Sequence, residues 1–366
     1  MENKLLLWCL MLCSVHVVKG QCPVNQDCIV VRSCPSILEI LSQNPVPPGE
    51  IERIKNAQCG YDYALNQPQV CCPRVEQPIL APQGDIKSNL LPDADVCGSD
   101  PSKRIVGGQL TLLRQFPWVA LLEYQKPEGR GFHCGGSLIN NNYVITAAHC
   151  ILRIPKTWRL VSVRLGEHQL DKDPDCDDED RPGFEDCADS PIDVPVGSVS
   201  VHPEYVNRVG SPNDIALIRL SRSVTYTQSI QPICMPTSKD FATTDFTGTS
   251  MVVTGFGRTE TRGQSNIKLK VEVPIKPKSE CVPLYKKNGV TLIDTQFCAG
   301  GNKGEDSCTG DSGGPLMYLR QTETEYNWYL YGIVSFGPIQ CGAKDFPGIY
   351  TNVNKFMPWV VSNMKP

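Results

Sequence analysis

From residue 105 onward, the chain alternates between short apolar runs and turn-rich segments. Six apolar runs have the length of β-strands: 118–124, 144–148, 215–220, 251–257, 328–336 and 348–353. Glycine, proline and small polar residues are common between them, and these are the residue types that end strands and form turns. Many short strands with little helix between them predict a mainly β domain, either a barrel or a sandwich.

A short helix is predicted near the C-terminus. Phe356, Trp359 and Val360 recur at helical spacing and therefore share one face. Asn354 precedes them at a position suited to an N-cap residue. We expect this helix to bury its aromatic face against the β domain.

The first 20 residues have the pattern of a cleaved secretory signal. Lys4 precedes an apolar run from Leu5 to Val18, and the small residue Gly20 follows. A membrane anchor is the alternative, but the run is shorter than the ~20 residues that a span needs. We therefore expect residues 1–20 to be a signal peptide and the product to be secreted, with no membrane segment.

The cysteines are numerous and unevenly distributed. Two of the 18 lie in the predicted signal peptide, which leaves 16. A dense, even-numbered set in an exported protein predicts disulfides; a zinc site is the alternative, but no paired Cys/His motif is present. Six cysteines crowd into residues 22–72, where cross-links would supply stability that so small a core cannot. The sequence by itself allows fifteen pairings of these six.

The chain therefore divides into four segments. We predict a signal peptide at residues 1–20, a small cysteine-rich domain at 21–73, a proline-containing linker at 74–104, and a β-rich domain at 105–366. The formal net charge of −4 gives no electrostatic reason to expect nucleic-acid binding.

Three sequence blocks carry candidate chemistry. They are "VITAAHC" (144–150), "NDIALIRL" (213–220) and "SCTGDSGGPL" (307–316). A serine hydroxyl is a weak nucleophile until a base takes its proton, and a buried carboxylate must orient a histidine base. Taken singly, His149 and Asp214 are typical of structural positions, but the glycine-flanked Ser312 is much more specific. Together the three residues predict acyl transfer.

These blocks, in the order His, Asp, Ser, resemble the trypsin/chymotrypsin-like serine proteases. The motif "IVGG" at residues 105–108 matches the start of the mature catalytic chain in that family. The resemblance implies a mainly β, chymotrypsin-like double β-barrel. It also implies that His149 is the general base, that Asp214 orients it, and that Ser312 is the nucleophile.

The resemblance further implies an oxyanion hole and a substrate preference. The backbone N–H groups of Gly310 and Ser312 would bind the oxyanion. Asp306 matches the carboxylate at the base of the primary specificity pocket, so cleavage after Arg or Lys is expected; a solvated loop acid is the alternative. The other pocket residues that the resemblance implies are Ser307, Ser335, Gly337 and Gly348.

A basic pair precedes the "IVGG" motif and marks a candidate activation site. Cleavage after Arg104 would create an α-amino group on Ile105, and the family pairs that group with the carboxylate that Asp311 matches. The chain is therefore expected to be a zymogen, for which Arg104, Ile105 and Asp311 form the switch.

The six N-terminal cysteines followed by a trypsin-like domain resemble arthropod clip-domain proteases of the Easter and prophenoloxidase-activating type. The family patterns pair the cysteines as Cys22–Cys71, Cys28–Cys59, Cys34–Cys72, Cys97–Cys234, Cys134–Cys150, Cys281–Cys298 and Cys308–Cys341. The remaining two cysteines are expected to form an eighth disulfide, Cys176–Cys187, that brackets an acidic loop.

This resemblance also implies a biological setting. The family acts in the haemolymph, in cascades that control melanisation or Toll signalling. The expected partners are an upstream activating protease, a downstream zymogen or pro-ligand as substrate, and a serpin as inhibitor, with the protease itself a monomer. Two alternatives are a non-catalytic clip-domain homologue, which usually lacks the serine, and a digestive trypsin, which needs no disulfide-rich docking module.

Residues 171–189 form an acidic insertion. They contain ten acidic and two basic residues, a net charge of −8. The family has a calcium loop here that begins at Glu167. Calcium held by Glu167, Asp175 and Asp178 is one hypothesis; a solvated acidic loop and a docking surface for a basic partner are the alternatives. Catalysis itself is expected to need no cofactor.

Overall fold

The structure is a computed structural model. It describes residues 22–23, 26–31, 34–41, 46–62, 67–73, 85–100, 110–177, 186–257, 264–301, 311–322, 326–338 and 346–366. The chain forms two compact units, Met1–Ala81 and Pro82–Pro366. The signal-peptide prediction for residues 1–20 and the predicted activation site at Arg104 and Ile105 lie outside the described residues.

The smaller unit is a three-stranded antiparallel sheet with two helices. Its elements are β1 (Gln26–Val30), α1 (Pro35–Leu41), α2 (Pro48–Asn56), β2 (Gln58–Asp62) and β3 (Gln67–Pro73). The central strand β3 pairs with both β1 and β2. Its last residues include Cys71 and Cys72, which bond to Cys22 and Cys34 respectively. Because successive side chains of a strand point to opposite faces, two adjacent cysteines can be linked to two different segments.

The larger unit contains two closed six-stranded barrels. The first half of this unit contributes β4 (Val119–Lys126), β5 (Gly129–Asn140), β6 (Tyr143–Thr146), β7 (Arg159–Leu165), β8 (Cys176–Asp177), β9 (Asp186–Cys187), β10 (Ile192–Val201) and β11 (Ala216–Leu220). The first barrel has the strand order β10-β11-β6-β5-β4-β7, and β8 and β9 form a separate hairpin.

The second barrel is built from the C-terminal half of the unit. Its strands are β12 (Ser250–Gly255), β13 (Leu269–Lys276), β14 (Gln296–Ala299), β15 (Pro315–Gln321), β16 (Tyr326–Phe336) and β17 (Gly348–Asn352). They close in the order β12-β13-β14-β17-β16-β15. The predicted double β-barrel is confirmed, and closure of each barrel removes the exposed strand edges that an open sheet would present.

Each of the six apolar runs overlaps a strand of one of these barrels. The shortest of these strands, β6, is buried along its whole length, and most of β16 is also buried. Strands buried on nearly every residue lose the simple alternation of apolar and polar side chains and appear as continuous apolar runs. This is why these strands were visible in the sequence.

Helices of the larger unit are α3 (His149–Leu152), α4 (Asp240–Thr243), α5 (Lys278–Lys287) and α6 (Val353–Asn363). The predicted C-terminal helix is confirmed as α6, with Phe356 and Val360 buried and Trp359 partly buried. No helix in the described part of the chain combines the length and the apolar character that a membrane span requires.

The predicted capping role of Asn354 is wrong. Helix α6 begins one residue earlier, at Val353, and no side chain caps its N-terminus. The Asn354 amide is buried and donates to the carbonyl of Pro236 at 3.2 Å. A buried amide must find a hydrogen-bond partner, and here the partner comes from a distant loop and not from the helix itself.

The second half of the predicted linker is part of the larger unit. The Ile86 N–H donates to the Thr237 carbonyl at 2.9 Å. The Asn327 amide donates to the carbonyl of Cys97 at 2.6 Å, and Cys97 is bonded to Cys234. Residues 85–100 are therefore attached by hydrogen bonds as well as by a disulfide.

Candidate active site

Strand register brings His149 and Asp214 together. His149 begins the one-turn helix α3, shortly after β6, and Asp214 lies just before β11. These strands are paired, with Thr146 opposite Ala216. His149 Nδ1 lies 2.8 Å from Asp214 Oδ2, and the His149 backbone N–H donates to Asp214 Oδ1 at 2.9 Å.

The second barrel supplies further donors to Asp214. The Ser335 hydroxyl donates to Asp214 Oδ2 at 2.5 Å, and the Thr351 hydroxyl donates to the Asp214 carbonyl at 2.9 Å. Asp214 is only 3% exposed, and a buried carboxylate requires such donors to offset the loss of water. With Nδ1 directed at this carboxylate, Nε2 of His149 is the ring nitrogen available to act as a base.

Ser312 lies in a tight turn before β15, against the first barrel. Its carbonyl accepts the Gly135 N–H at 2.8 Å and lies 3.6 Å from Sγ of Cys150, the residue after His149. Gly313 has a φ of 79°, and a Cβ there would collide with the Thr146 hydroxyl. Glycine is needed at position 313 because both the backbone angle and the lack of space exclude other side chains. The described geometry therefore places Ser312 next to the His149 segment.

The Asp311 carboxylate points toward the strand end of β12. Its Oδ1 accepts the Gly257 N–H at 2.9 Å, and it occupies the space that a Cβ would fill at Gly255 or Gly257. It also borders a small pocket between the barrels, lined by residues 119–121, 135–136 and 254–256. A positive group that entered this pocket would meet the Asp311 carboxylate.

The predicted specificity pocket is partly described. A Cβ on Gly337 would lie 3.7 Å from the Gly348 Cα, so the two predicted wall segments run side by side. The Ser335 hydroxyl, predicted to line the pocket, is bonded to Asp214. Asp306, Ser307 and the oxyanion residue Gly310 lie outside the described residues.

Seven of the eight expected disulfides are present. They are Cys22–Cys71, Cys28–Cys59, Cys34–Cys72, Cys97–Cys234, Cys134–Cys150, Cys176–Cys187 and Cys281–Cys298. The eighth, Cys308–Cys341, lies outside the described residues. Among the described residues, two groups of three side chains have metal-ligand spacing, and every cysteine in them is in a disulfide. Metal coordination requires the thiolate, so these groups are not zinc sites.

The residues predicted to hold calcium are already bonded to donors. Glu167 Oε2 accepts from Arg164 Nη1 at 3.2 Å, and Oε1 accepts the His168 N–H at 3.0 Å. Asp175 Oδ2 accepts the N–H groups of His168 and Gln169 at 3.2 and 3.1 Å. Three of the four carboxylate oxygens therefore already accept from donors, and Asp175 Oδ1 has no partner among the described residues. Calcium takes six to eight oxygen ligands, so these two carboxylates as they are bonded here fit a calcium ion poorly. Asp178 lies outside the described residues.

The electrostatics around these two carboxylates are those of a buried charge cluster. Burial, reinforced by the nearby Asp175, raises the pKa of Glu167, and the Arg164 guanidinium opposes this shift. Burial also raises the pKa of Asp175. A fully buried lysine, Lys268, is close to both: burial lowers its pKa to about 8, and the surrounding carboxylates oppose the decrease.

Lys268 and Arg164 were not singled out from the sequence. Lys268 stands in the segment "IKLKVEV" (267–273), two residues before another lysine, Lys270. Nothing in this alternating pattern distinguishes the lysine that becomes buried from the one that does not. Thr351, the donor to the Asp214 carbonyl, likewise lies in an ordinary strand sequence, "GIYTN".

Comparisons with known proteins match both units. Residues 105–360 match the trypsin family, and residues 25–72 match the regulatory CLIP domain of proteinases. CLIP domain-containing serine protease B4 of Anopheles gambiae is 41% identical over 347 residues, which cover 93% of this chain and 91% of the relative. Melanization protease 1 of Drosophila melanogaster is 41% identical over 92% of this chain and 90% of the relative.

A solved structure agrees with these matches. The Drosophila Grass clip serine protease of the Toll pathway is 31% identical, with a TM-score of 0.64 over 93% of this chain and 94% of that chain. The similarity therefore extends across both units and is not confined to the catalytic motifs.

Proposed function

The chain belongs to the trypsin family of serine proteases and carries a regulatory CLIP domain, and we propose that it is a secreted zymogen activated by cleavage after Arg104. The observation that supports catalysis by the activated chain is the hydrogen-bonded pair of His149 and Asp214 beside Ser312. A non-catalytic homologue would have no need for this arrangement.

In the proposed reaction, the Ser312 hydroxyl attacks the carbonyl carbon of the scissile bond while His149 Nε2 takes its proton. The imidazolium then gives that proton to the leaving amine, and a water molecule repeats the sequence to release the acyl group. Asp214 stabilises the imidazolium without accepting the proton. The backbone N–H groups of Gly310 and Ser312 are assigned to the developing oxyanion.

Activation is proposed to act through Asp311. Its carboxylate borders a pocket between the barrels, where a new α-amino group on Ile105 could form an ion pair. Burial of Ile105 and Val106 would contribute about 3–6 kcal/mol of apolar transfer free energy to this change. The Cys97–Cys234 disulfide would keep the N-terminal segment attached after the cut.

The proposed substrates are proteins cut after Arg or Lys, with Asp306 at the base of the pocket. The names of the relatives refer to melanization and to the Toll pathway. We therefore propose an extracellular innate-immune cascade in haemolymph as the setting. Within it, an upstream protease activates this chain, a zymogen or pro-ligand is its substrate, and a serpin ends its activity; the enzyme acts as a monomer and its chemistry needs no cofactor.

The test uses the purified full-length zymogen. Treatment with an Arg-specific protease is expected to produce a new N-terminus at Ile105 together with activity on Arg- and Lys-anilide substrates. A Ser312→Ala zymogen, cut in the same way, should remain inactive, and an Arg104→Gln zymogen should remain both intact and inactive. Full activity of Arg104→Gln, or no gain of Ser312-dependent activity after the cut, would overturn the proposal.

A further inference from the structure

We propose that the ammonium group of Lys268 serves as an internal cation for the loop of residues 167–175, so that this loop keeps its shape without calcium. The loop follows β7 and leads into the β8–β9 hairpin. Such a role of Lys268 affects the stability and ion requirement of the fold and is independent of the proposed activation mechanism.

Lys268 reaches the loop backbone directly. Its Nζ donates to the Glu167 carbonyl oxygen at 3.2 Å, and the residue is only 3% exposed. Main-chain carbonyls and carboxylates are the ligands that calcium takes in surface loops. In this loop, the Lys268 Nζ is bonded to a main-chain carbonyl of the segment for which the sequence suggested a calcium ion.

The backbone around Lys268 holds the side chain in this position. The Lys268 N–H donates to the His168 carbonyl at 2.9 Å, and Gln169 is bridged to Ile267. On its other side, the Thr111 hydroxyl donates to the Lys268 carbonyl at 2.9 Å. The lysine is therefore anchored on both sides and is not a flexible surface side chain that could swing away.

The charges in the cluster are of opposite sign and partly offset the cost of their burial. Asp100, Glu167 and Asp175 are each only 3–4% exposed, and all three attract the Lys268 ammonium. Asp175 Oδ1 is buried and has no hydrogen-bond partner among the described residues, so its charge is balanced through space. Buried charges persist in proteins only when they are compensated in this way.

A second cation adds to the compensation of these carboxylates. Arg164, which donates to Glu167, also forms a two-pronged pair with Asp193, with both N–O distances at 2.8 Å. Because Asp193 holds the guanidinium in place, Arg164 cannot easily leave Glu167 to admit a metal ion. A calcium ion would have to displace this guanidinium and share the loop with a buried ammonium, which electrostatic repulsion opposes.

The cluster also connects the loop to the segment that precedes the activation site. Asp100 lies three residues after Cys97, which is bonded to Cys234, and its Oδ2 accepts from Gln115 Nε2 at 3.3 Å. Lys268 therefore links this segment to the 167–175 loop through charge. This arrangement gives the lysine a structural role that a loop-bound metal ion alone would not provide.

The experiment compares the full-length wild-type zymogen with Lys268→Met and with a matched control, Lys270→Met. Lys270 is two residues away and only partly buried, and its Nζ is bonded to the Gln115 side chain at 3.2 Å. The thermal midpoint of each protein is measured with EDTA and with excess CaCl2. Calcium binding to the wild type and to Glu167→Gln is measured by calorimetry with CaCl2 alone.

We expect the wild-type midpoint to differ by less than about 1 °C between EDTA and CaCl2. Lys268→Met should lower the midpoint by roughly 5–10 °C, and Lys270→Met by about 2 °C or less. If the wild type and Glu167→Gln bind calcium equally well, the calcium site does not include Glu167, and this result agrees with the proposal.

Three results would overturn the proposal. They are a wild-type midpoint several degrees higher with calcium, calcium binding that Glu167→Gln abolishes, and a Lys268→Met zymogen as stable as the Lys270→Met control. The calcium titration of the wild type does not depend on a lysine variant. It therefore tests whether the 167–175 loop needs calcium even if Lys268→Met does not fold.

Discussion

Asp214 and Glu167 are two carboxylates of the same unit, and each is only 3% exposed. Their surroundings nevertheless differ in kind. The Asp214 side chain accepts from the backbone and ring of His149 and from the hydroxyl of Ser335. Glu167 accepts from the guanidinium of Arg164, and its own carbonyl accepts from the ammonium of Lys268.

The difference lies in when the compensating charge is present. At Asp214 the charged partner is a histidine, which becomes an imidazolium only during the reaction, so the carboxylate can stabilise the transition state. At Glu167 the positive charges are already present in the resting fold, so their stabilisation does not wait for a reaction step. Burial alone therefore does not separate a carboxylate of the triad from a structural one, whereas the identity of the donors does.

The largest effect that tests this comparison is on catalysis at Asp214. In the activated enzyme, Asp214→Asn should lower kcat by about 10⁴-fold, because an asparagine no longer favours the reactive tautomer of His149. The thermal midpoint should change little. Asp193→Asn, at an exposed carboxylate paired with Arg164, is the matched control and should retain nearly full kcat. A kcat of Asp214→Asn within tenfold of wild type would contradict the catalytic assignment.

The next largest effect is on stability at the Lys268 cluster. Lys268→Met should lower the free energy of unfolding by about 3–5 kcal/mol, because it leaves buried carboxylates uncompensated. Adding Glu167→Gln should cost less than the sum of the two single changes, with a coupling of about 0.5–3 kcal/mol, measured by denaturant unfolding. Additive effects would show that the two residues do not share an electrostatic cluster.

A smaller effect is expected at Ser335, which connects the second barrel to the triad. Ser335→Ala removes one of the donors to Asp214, and a hydrogen bond to a charged group contributes about 1.5–3 kcal/mol. We expect kcat on an Arg-anilide to fall about tenfold with KM nearly unchanged. Ser335→Thr retains a hydroxyl and should recover part of the loss. An unchanged kcat in Ser335→Ala would mean that the remaining hydrogen bonds, from His149 and Thr351, are sufficient to position Asp214.

The smallest effect is expected at an exposed ion pair of the β8–β9 hairpin. Arg114 donates to both carboxylate oxygens of Asp186 at 2.6 and 2.7 Å, but the Asp186 side chain is 64% exposed. Asp186→Asn should therefore cost less than about 1 kcal/mol of unfolding free energy and leave kcat unchanged.

The difference in unfolding free energy between the wild type and Asp186→Asn should depend on pH, with a sign that follows from the pKa of Asp186. The hydrogen bond from Arg114 lowers the pKa of Asp186 below its usual value. The wild type is then favoured over Asp186→Asn above the unfolded pKa of about 3.9, and this advantage is lost as the pH falls through the folded pKa. If Asp186→Asn destabilised the protein as much as Lys268→Met does, exposed and buried ion pairs would not differ in their contribution to stability.

Much of the architecture was accessible from the sequence because it depends on local patterns. Strands buried on most residues appear as apolar runs, and Ser312 is recognisable from the glycines that flank it. The prediction for Asn354 was wrong because a buried amide is satisfied by whatever acceptor the packed fold brings near, and that acceptor was Pro236, 118 residues away. The calcium hypothesis at Glu167 did not anticipate its two cations. Lys268 is 101 residues away in sequence, and Arg164, although only three residues away, carries no sequence signal that its side chain turns toward Glu167.

The sequence by itself determined six of the buried strands, the two-unit organisation and the residue types of the triad. Only the tertiary structure decided which buried charges share a site. The Ser335 hydroxyl reaches Asp214 across 121 residues of sequence, and Lys268 reaches Glu167 across 101. Lys268 and Lys270 occupy equivalent places in an alternating pattern, yet only Lys268 is enclosed. Periodicity is a local property of the chain, whereas the loss of water around a charge depends on segments that closure of the barrels brings together.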